Sequence, residues 1–517
     1  MYSMNLGRKV LTSLATVTSV FILLSCSTTQ TDSEQRSDPN AVQVPDGYTV
    51  EMVAGPDLVD YPMFGIVEET GKLFLFESTG NVYEKSEDAI KDPKFRINML
   101  EDTDGDGVYD KSTIYADKIG FPQGGVFYKG SLYASSAPDL LKLTDTDGDG
   151  VADKREVLLS GWTLNVNANS LVGPSFGPDG WLYMTNAIMG FDVHTQEGVH
   201  LKGETSRVWR VRPDGSGLEW VGAGGMNNPV ELTFTEAGEP IGTMTYFTNP
   251  KAGQRDALIY WTEGGVYPKP NANITRDKLP RTGDLLPVIA KYSRVSPAGI
   301  HRYRNTTLGE DFKDNLFSAQ FNTHRVLRHK VTREGASFRV EDDVFFWKDD
   351  EDFHPTDVFE DADGSMLIIN TGGWFIKGCP LSQVSKPEIE GAVYRVKKKG
   401  AKKTDDAYGN SIAWSSLEPS ALAAYIEDPR PFVRDRAANA LVDQGATSVE
   451  ALTALLRKAQ SADTRTRVVF TLYRIGTREA LSGVREAMGD ADVQVRIAAA
   501  RSAGLARDKE AGDRLMR

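Results

Sequence analysis

The phrase Asp-Thr-Asp-Gly-Asp-Gly-Val is written twice, at Asp102–Val108 and Asp145–Val151, 43 residues apart. The first copy sets Asp102, Asp104, Asp106 and Asp110 at positions 1, 3, 5 and 9 of a loop. The second sets Asp145, Asp147, Asp149 and Asp153 at the same positions and adds Glu156 at position 12, where the first has Thr113. Alternate carboxylates on a tightly turning backbone converge on one point, and Gly107 and Gly150 fall where the chain must bend. A hard divalent cation removes the repulsion between such groups, and Ca²⁺ fits better than Mg²⁺ because it accepts many oxygens in flexible geometry. The flanks GSLYASSAPDLLKL and KREVLLSG are short, β-favouring runs. The expected unit is therefore strand–loop–strand, with an ion that staples the loop, or a metal-free acidic turn.

A repeat of 43 residues is the length of a propeller blade. From residue 43 to 400 the chain reads as short strands separated by Asp-Gly and Gly-rich turns: KLFLFES, GWLYMTN, RVWRVRPDG, NLFSAQF, SMLIINT, AVYRV. This predicts an all-β, six-bladed propeller, with the two acidic loops as equivalent turns on neighbouring blades.

Both ends differ from this body. Arg8 and Lys9 precede a mainly apolar run, Val10–Leu24, which ends in Leu23-Leu24-Ser25-Cys26. The run is short for a membrane span and has the form of a signal peptide, residues 1–26, with a lipobox. Cys26 is the expected lipidation site, which anchors the chain in a bacterial cell envelope, on a periplasmic or outer-membrane surface. Residues 27–42 are rich in Ser, Thr, Asp and Gln and suit a disordered tether. After a linker at 401–415, residues 416–517 turn to Ala, Leu, Arg and Glu with helical periodicity. Three segments align on Arg434, Arg467 and Arg496 and resemble short HEAT repeats. The predicted fold is thus a propeller followed by an α-helical solenoid.

Net charge is −13 and basic runs are short, which disfavours nucleic acid as a partner. The cysteines are Cys26 and Cys379, so the mature chain has no intrachain disulfide, and no C-x-x-C-H motif is present to hold covalent haem.

Several phrases carry a resemblance. SFGPDGWLYMTNA (Ser175–Ala187), MNNPVELTF (Met226–Phe234), FKDNLFSAQFNTHRVLR (Phe312–Arg328) and HPTDVFEDADGSMLIINTGGWF (His354–Phe375) resemble segments of soluble quinoprotein glucose/sorbosone dehydrogenases. The combination with HEAT repeats is similar to membrane-bound dehydrogenase lipoproteins of planctomycetes, verrucomicrobia and bacteroidetes, here without their cytochrome. The resemblance implies pyrroloquinoline quinone as cofactor and a sugar or alcohol as substrate. Electrons would pass to a separate acceptor, such as a cytochrome or another protein docked on the HEAT repeats.

The departures fall on chemistry. The family's general-base histidine aligns with Asn169, which accepts no proton at neutral pH. Arginines suited to a quinone's carboxylates align with Asn227, His354 and Thr356, which weakens the case for the quinone. His354 and Asp357 are the candidate catalytic pair, as base and orienter, with a packed structural histidine as the alternative. Asn169, Asn227, Asn228, Arg325 and Trp374 are the candidate channel residues. Two functions stand: a propeller that oxidises a sugar or alcohol, or a non-catalytic, Ca²⁺-stabilised propeller–HEAT module that binds glycan or protein.

Overall fold

The computed structural model describes residues 41–166, 169–245, 256–373 and 386–516. The signal segment, Cys26, most of the tether, Trp374 and Cys379 lie outside the described residues.

Six sheets succeed one another along the chain, antiparallel throughout except where Gly265–Tyr267 pairs in parallel with Glu219–Gly224 in the third. Their first strands are Tyr61–Val67, Pro122–Tyr128, Leu171–Phe176, Asn228–Phe234, Pro297–Arg302 and Pro355–Glu360. Each packs beside the first strand of the next blade, so the six ring a common axis. Blade 6 is completed by the N-terminal strand Tyr48–Ala54, paired outside Ala392–Lys398. That pairing closes the ring and removes a free joint between first and last blades. Among the described residues, then, the protein is a six-bladed propeller, as the strand pattern predicts.

Strands sandwiched between blades are buried on both faces and read as continuous apolar runs, as in Leu73–Ser78 and Met366–Asn370. Outer strands such as Lys154–Ser160 are largely exposed to solvent. Glycine is required where first strands crowd the axis. A Cβ on Gly65 would sit 2.7 Å from Ile369 Cδ1, and one on Gly125 would sit 2.4 Å from the Tyr133 carbonyl oxygen.

The acidic loops join third to fourth strands in blades 1 and 2, flanked by strands rather than helices. Each also reaches the blade before it. The Tyr109 amide, at loop position 8, donates to Val53 O of blade 6 (2.9 Å), and the Ala152 amide, at the same position, donates to Tyr115 O of blade 1 (2.8 Å). The repeated phrase is therefore a repeated inter-blade joint.

The tail forms three helical pairs: Pro419–Tyr425 with Pro431–Gln444, Val449–Lys458 with Ala462–Ile475, and Arg478–Ala487 with Val493–Leu505. Their shared core includes Leu441, Leu456, Leu472 and Val484. The repeat register differs from the sequence alignment. Arg434, Arg465 and Arg496 occupy the same place, because each donates through Nη1 to the carbonyls six and five residues earlier. The repeat is therefore an even 31 residues, and Arg467 belongs to another helix face. No helix among the described residues is long and apolar enough to cross a membrane.

Candidate functional site: the axial channel and its helical cap

The first strands all run the same way, so the channel has two distinct mouths. Helices Pro431–Gln444 and Ala462–Ile475 cover the mouth at the strands' C-terminal ends. Arg304 of blade 5 pairs with Asp435 (2.5 Å), Lys313 with Asp463 (2.5 Å), and Trp181 Nε1 donates to Tyr473 Oη (2.9 Å). Glu236 is buried between Arg302 (2.6 Å) and Arg467 (3.0 Å). Arg467, Arg302 and Arg434 hold its carboxyl down at about 2, against the opposing effect of burial. A cavity of about 430 Å³ remains between cap and propeller, with Gly65, Gly125, Glu231, His301 and Asp357 along its channel side.

Asp357 is fully buried and accepts from the amides of Gly65 (3.0 Å) and Val358 (2.8 Å). Its side-chain partner is Glu231, which accepts from the Ile300 amide (2.8 Å). Burial raises both carboxyls, and their mutual repulsion raises Glu231 further, so the pair retains a proton at neutral pH.

His354 sits at the opposite mouth, where it starts blade 6. Its Nδ1 donates to Gly372 O (3.0 Å), and its ring packs on Phe321 (4.3 Å) and near His324 (5.6 Å). Burial lowers its pKa to about 4, which leaves a neutral imidazole at pH 7. The side chains of the two residues thus bond different neighbours: the His354 ring donates to Gly372 O, and Asp357 bonds Gly65, Val358 and Glu231. The segments that meet at His354 carry three neutral polar groups that are buried without a partner among the described residues: Gln320 Nε2, next to Phe321; Thr356 Oγ1, two residues after His354; and the Oγ1 of Thr371, whose backbone amide donates to His354 O.

The other channel candidates gather at this mouth. Asn169 Oδ1 accepts from Gln123 Nε2 (2.9 Å), and Gln123 Oε1 accepts from the Ser170 amide (2.7 Å). Asn227 receives the ammonium of Lys269, whose pKa burial lowers. Asn228 is buried in register with Thr245. Arg325 turns its Nε to Thr323 O (2.9 Å). The positions where a quinone would need guanidiniums hold Asn227, His354 and Thr356; an amide, a neutral imidazole and a hydroxyl do not fit a tricarboxylate.

In the acidic loops, one carboxylate oxygen of each of Asp102, Asp104 and Asp106 lies within 4.8 Å of the others, as for Asp145, Asp147 and Asp149. The two loops make the same bonds. Asp102 accepts from Gly105 and Gly107 (both 2.8 Å), and Asp145 from Gly148 (2.7 Å) and Gly150 (2.8 Å). Asp110 and Asp153 each take the hydroxyl of the loop threonine, Thr103 or Thr146. Glu156 pairs with Lys154 (2.9 Å) instead of joining its three aspartates. The hard, convergent oxygens suit Ca²⁺.

Sequence reasoning missed Glu231, Gln123, Lys269 and the arginines of the cap. Glu231 had a signal, since it stands in MNNPVELTF where the resembling motif has glycine. The others come from segments distant in sequence.

A six-bladed propeller capped at one mouth by its own helical repeats is the class this chain defines. The chain belongs to the family described as a domain of unknown function (DUF7133), which it matches over residues 34–377, and residues 449–517 match HEAT repeats. Solved structures with similar folds include an oxidoreductase described as a glucose dehydrogenase from Thermus thermophilus, at 18% identity and TM-score 0.46, covering 68% of this chain and 100% of that one. The PQQ domain of pyranose dehydrogenase from Coprinopsis cinerea matches at 12% identity and TM-score 0.47, covering 69% and 97%. A protein described as a gluconolactonase matches at 12% identity and TM-score 0.39, covering 70% and 96%. No curated protein matches the chain.

Proposed function

We propose that this chain is a cell-envelope lipoprotein, anchored through Cys26 and stapled by Ca²⁺, whose propeller binds a neutral, sugar-like molecule at the His354 mouth. The observation that carries this reading is the set of buried, unpartnered Gln320 Nε2, Thr356 Oγ1 and Thr371 Oγ1 on the segments that meet at His354, whose imidazole is neutral. Buried polar groups without a partner are costly, and a hydroxylated ligand supplies both donors and acceptors to them. Phe321 and His354 add ring faces against which a sugar can pack. The test is calorimetric titration of the mature protein with neutral mono- and disaccharides. Binding is expected in wild type and weakened about tenfold or more by Gln320→Ala or Thr371→Val. Absence of binding to every neutral sugar, or equal affinity in the variants, contradicts the reading.

Oxidation of a sugar or alcohol is the second reading. Its support is the Glu231–Asp357 pair, a buried carboxyl group inside the channel that can exchange a proton. It also needs a two-electron acceptor, and the residues at the His354 mouth do not fit the quinone.

A further inference from the structure

We propose that the cavity beneath the helical cap is a second binding site, for a small hydroxylated organic carboxylate whose carboxylate is held by Arg434 and Arg474. The site is distinct from the His354 mouth and is built by the helical repeats as much as by the propeller.

Six arginines line the cavity: Arg302, Arg304, Arg434, Arg436, Arg467 and Arg474. Four reach a carboxylate. Arg302 and Arg467 share Glu236, Arg304 has Glu360 (2.8 Å) and Asp435, and Arg436 approaches Glu69 (4.0 Å). Among the described residues, Arg434 and Arg474 make no such pair. Arg434 spends Nη1 on the carbonyls of Asp428 and Pro429 (both 2.9 Å), and Arg474 spends Nη2 on Asn439 Oδ1 (2.7 Å).

The repeat explains why Arg434 makes no direct ion pair, although the charges of Glu236 and Asp435 act on it from further away. Its counterpart Arg465 is neutralised by Asp490, 25 residues on, through two bonds of 2.7 and 2.9 Å. The position equivalent to Asp490 for Arg434 is Ala459. A repeat that offers aspartate at 428 and 490 thus has alanine at the one place where the partner would neutralise the cavity arginine. Arg434 is only 8% exposed, and burial, with Arg467 and Arg304 nearby, lowers its pKa to about 10. A buried guanidinium in that state favours an incoming anion.

The remainder of the cavity specifies hydroxyls. His301 Nε2 is buried without a partner, and burial, with Arg304 and Arg302 alongside, keeps its ring neutral, with a pKa of about 3. Glu231 and Asp357 lie on the same wall. Together these offer hydrogen-bonding groups to hydroxyls, with the carboxylate at Arg434 and Arg474. A volume of about 430 Å³ admits a six-carbon acid.

The test is calorimetry and thermal shift of the whole mature chain at pH 7 with D-gluconate, D-glucose and inorganic phosphate as probes. Gluconate is expected to bind and to raise the melting temperature, with glucose and phosphate at least about tenfold weaker at this site. Arg474→Gln should weaken gluconate about tenfold or more. Ala459→Asp should abolish its binding while preserving the melting temperature, because it restores the repeat's own partner to Arg434. The proposal is overturned if gluconate fails to bind, if Ala459→Asp and Arg474→Gln leave its affinity unchanged, or if phosphate binds as tightly.

Discussion

Glu231 of blade 4 and Asp357 of blade 6 share a hydrogen bond inside the channel, and each also accepts an amide from the next blade round, Ile300 and Gly65 respectively. The pair ties four of the six blades at one level.

Its proton has a consequence for stability. Both folded carboxyls have pKa values above their unfolded ones, so between those values the native state binds more protons than the unfolded chain. Stability from this pair is fully present below the unfolded pKa and is lost as pH rises through the folded values. Denaturation midpoints should fall from pH 5 towards pH 9, and Glu231→Gln, which holds a permanent donor, should flatten that slope. A slope unchanged in the variant would mean that the proton resides elsewhere.

Chelation should destabilise the fold. If Ca²⁺ binds only the folded loops, it adds about 2.7 kcal/mol per site at a hundredfold excess over Kd. Asp102→Ala and Asp145→Ala should lose similar amounts, because the loops make the same bonds and Glu156 turns to Lys154. A melting temperature that ignores chelator would identify both as metal-free turns.

Glu236 locks the cap. Glu236→Gln leaves Arg302 and Arg467 facing each other without their shared carboxylate, a loss of roughly 3–5 kcal/mol for a buried pair. The cap should then open, read as faster proteolysis in residues 431–475. A cap as resistant as in wild type would show that packing through Phe470 and Tyr473 suffices.

The lipobox predicts diacylglycerol on Cys26. Mass spectrometry of the N-terminal peptide checks it, with Cys26→Ser expected to release the protein from membranes. Unchanged partitioning in that variant would remove the anchor from the account.

The fold was legible because its signals are local. The acidic phrase, the Asp-Gly turns and the apolar strands each lie within a few residues, and their spacing repeats. The helical tail was equally plain in kind, but its register was not. Arg465 and Arg467 are two residues apart, and only the carbonyls at 459 and 460 distinguish them. The channel was the hard part, since its contacts join residues far apart in sequence, 47 positions for Gln123–Ser170 and 292 for Gly65–Asp357. His354 and Asp357 looked like a pair because they are three apart in sequence. In the folded chain, Glu231, from another blade, supplies the partner.

The most direct test of the central claim, that the His354 mouth is built to hold a neutral sugar and not the quinone, is a dye-reduction assay. The mature protein would be supplied with Ca²⁺, pyrroloquinoline quinone and the neutral sugar it binds most tightly. The account predicts no reduction above the quinone-free control, because Asn227, His354 and Thr356 offer no guanidinium to hold the quinone. Sustained dye reduction that requires both quinone and sugar, and that Asp357→Asn abolishes, would contradict it and establish the chain as a dehydrogenase.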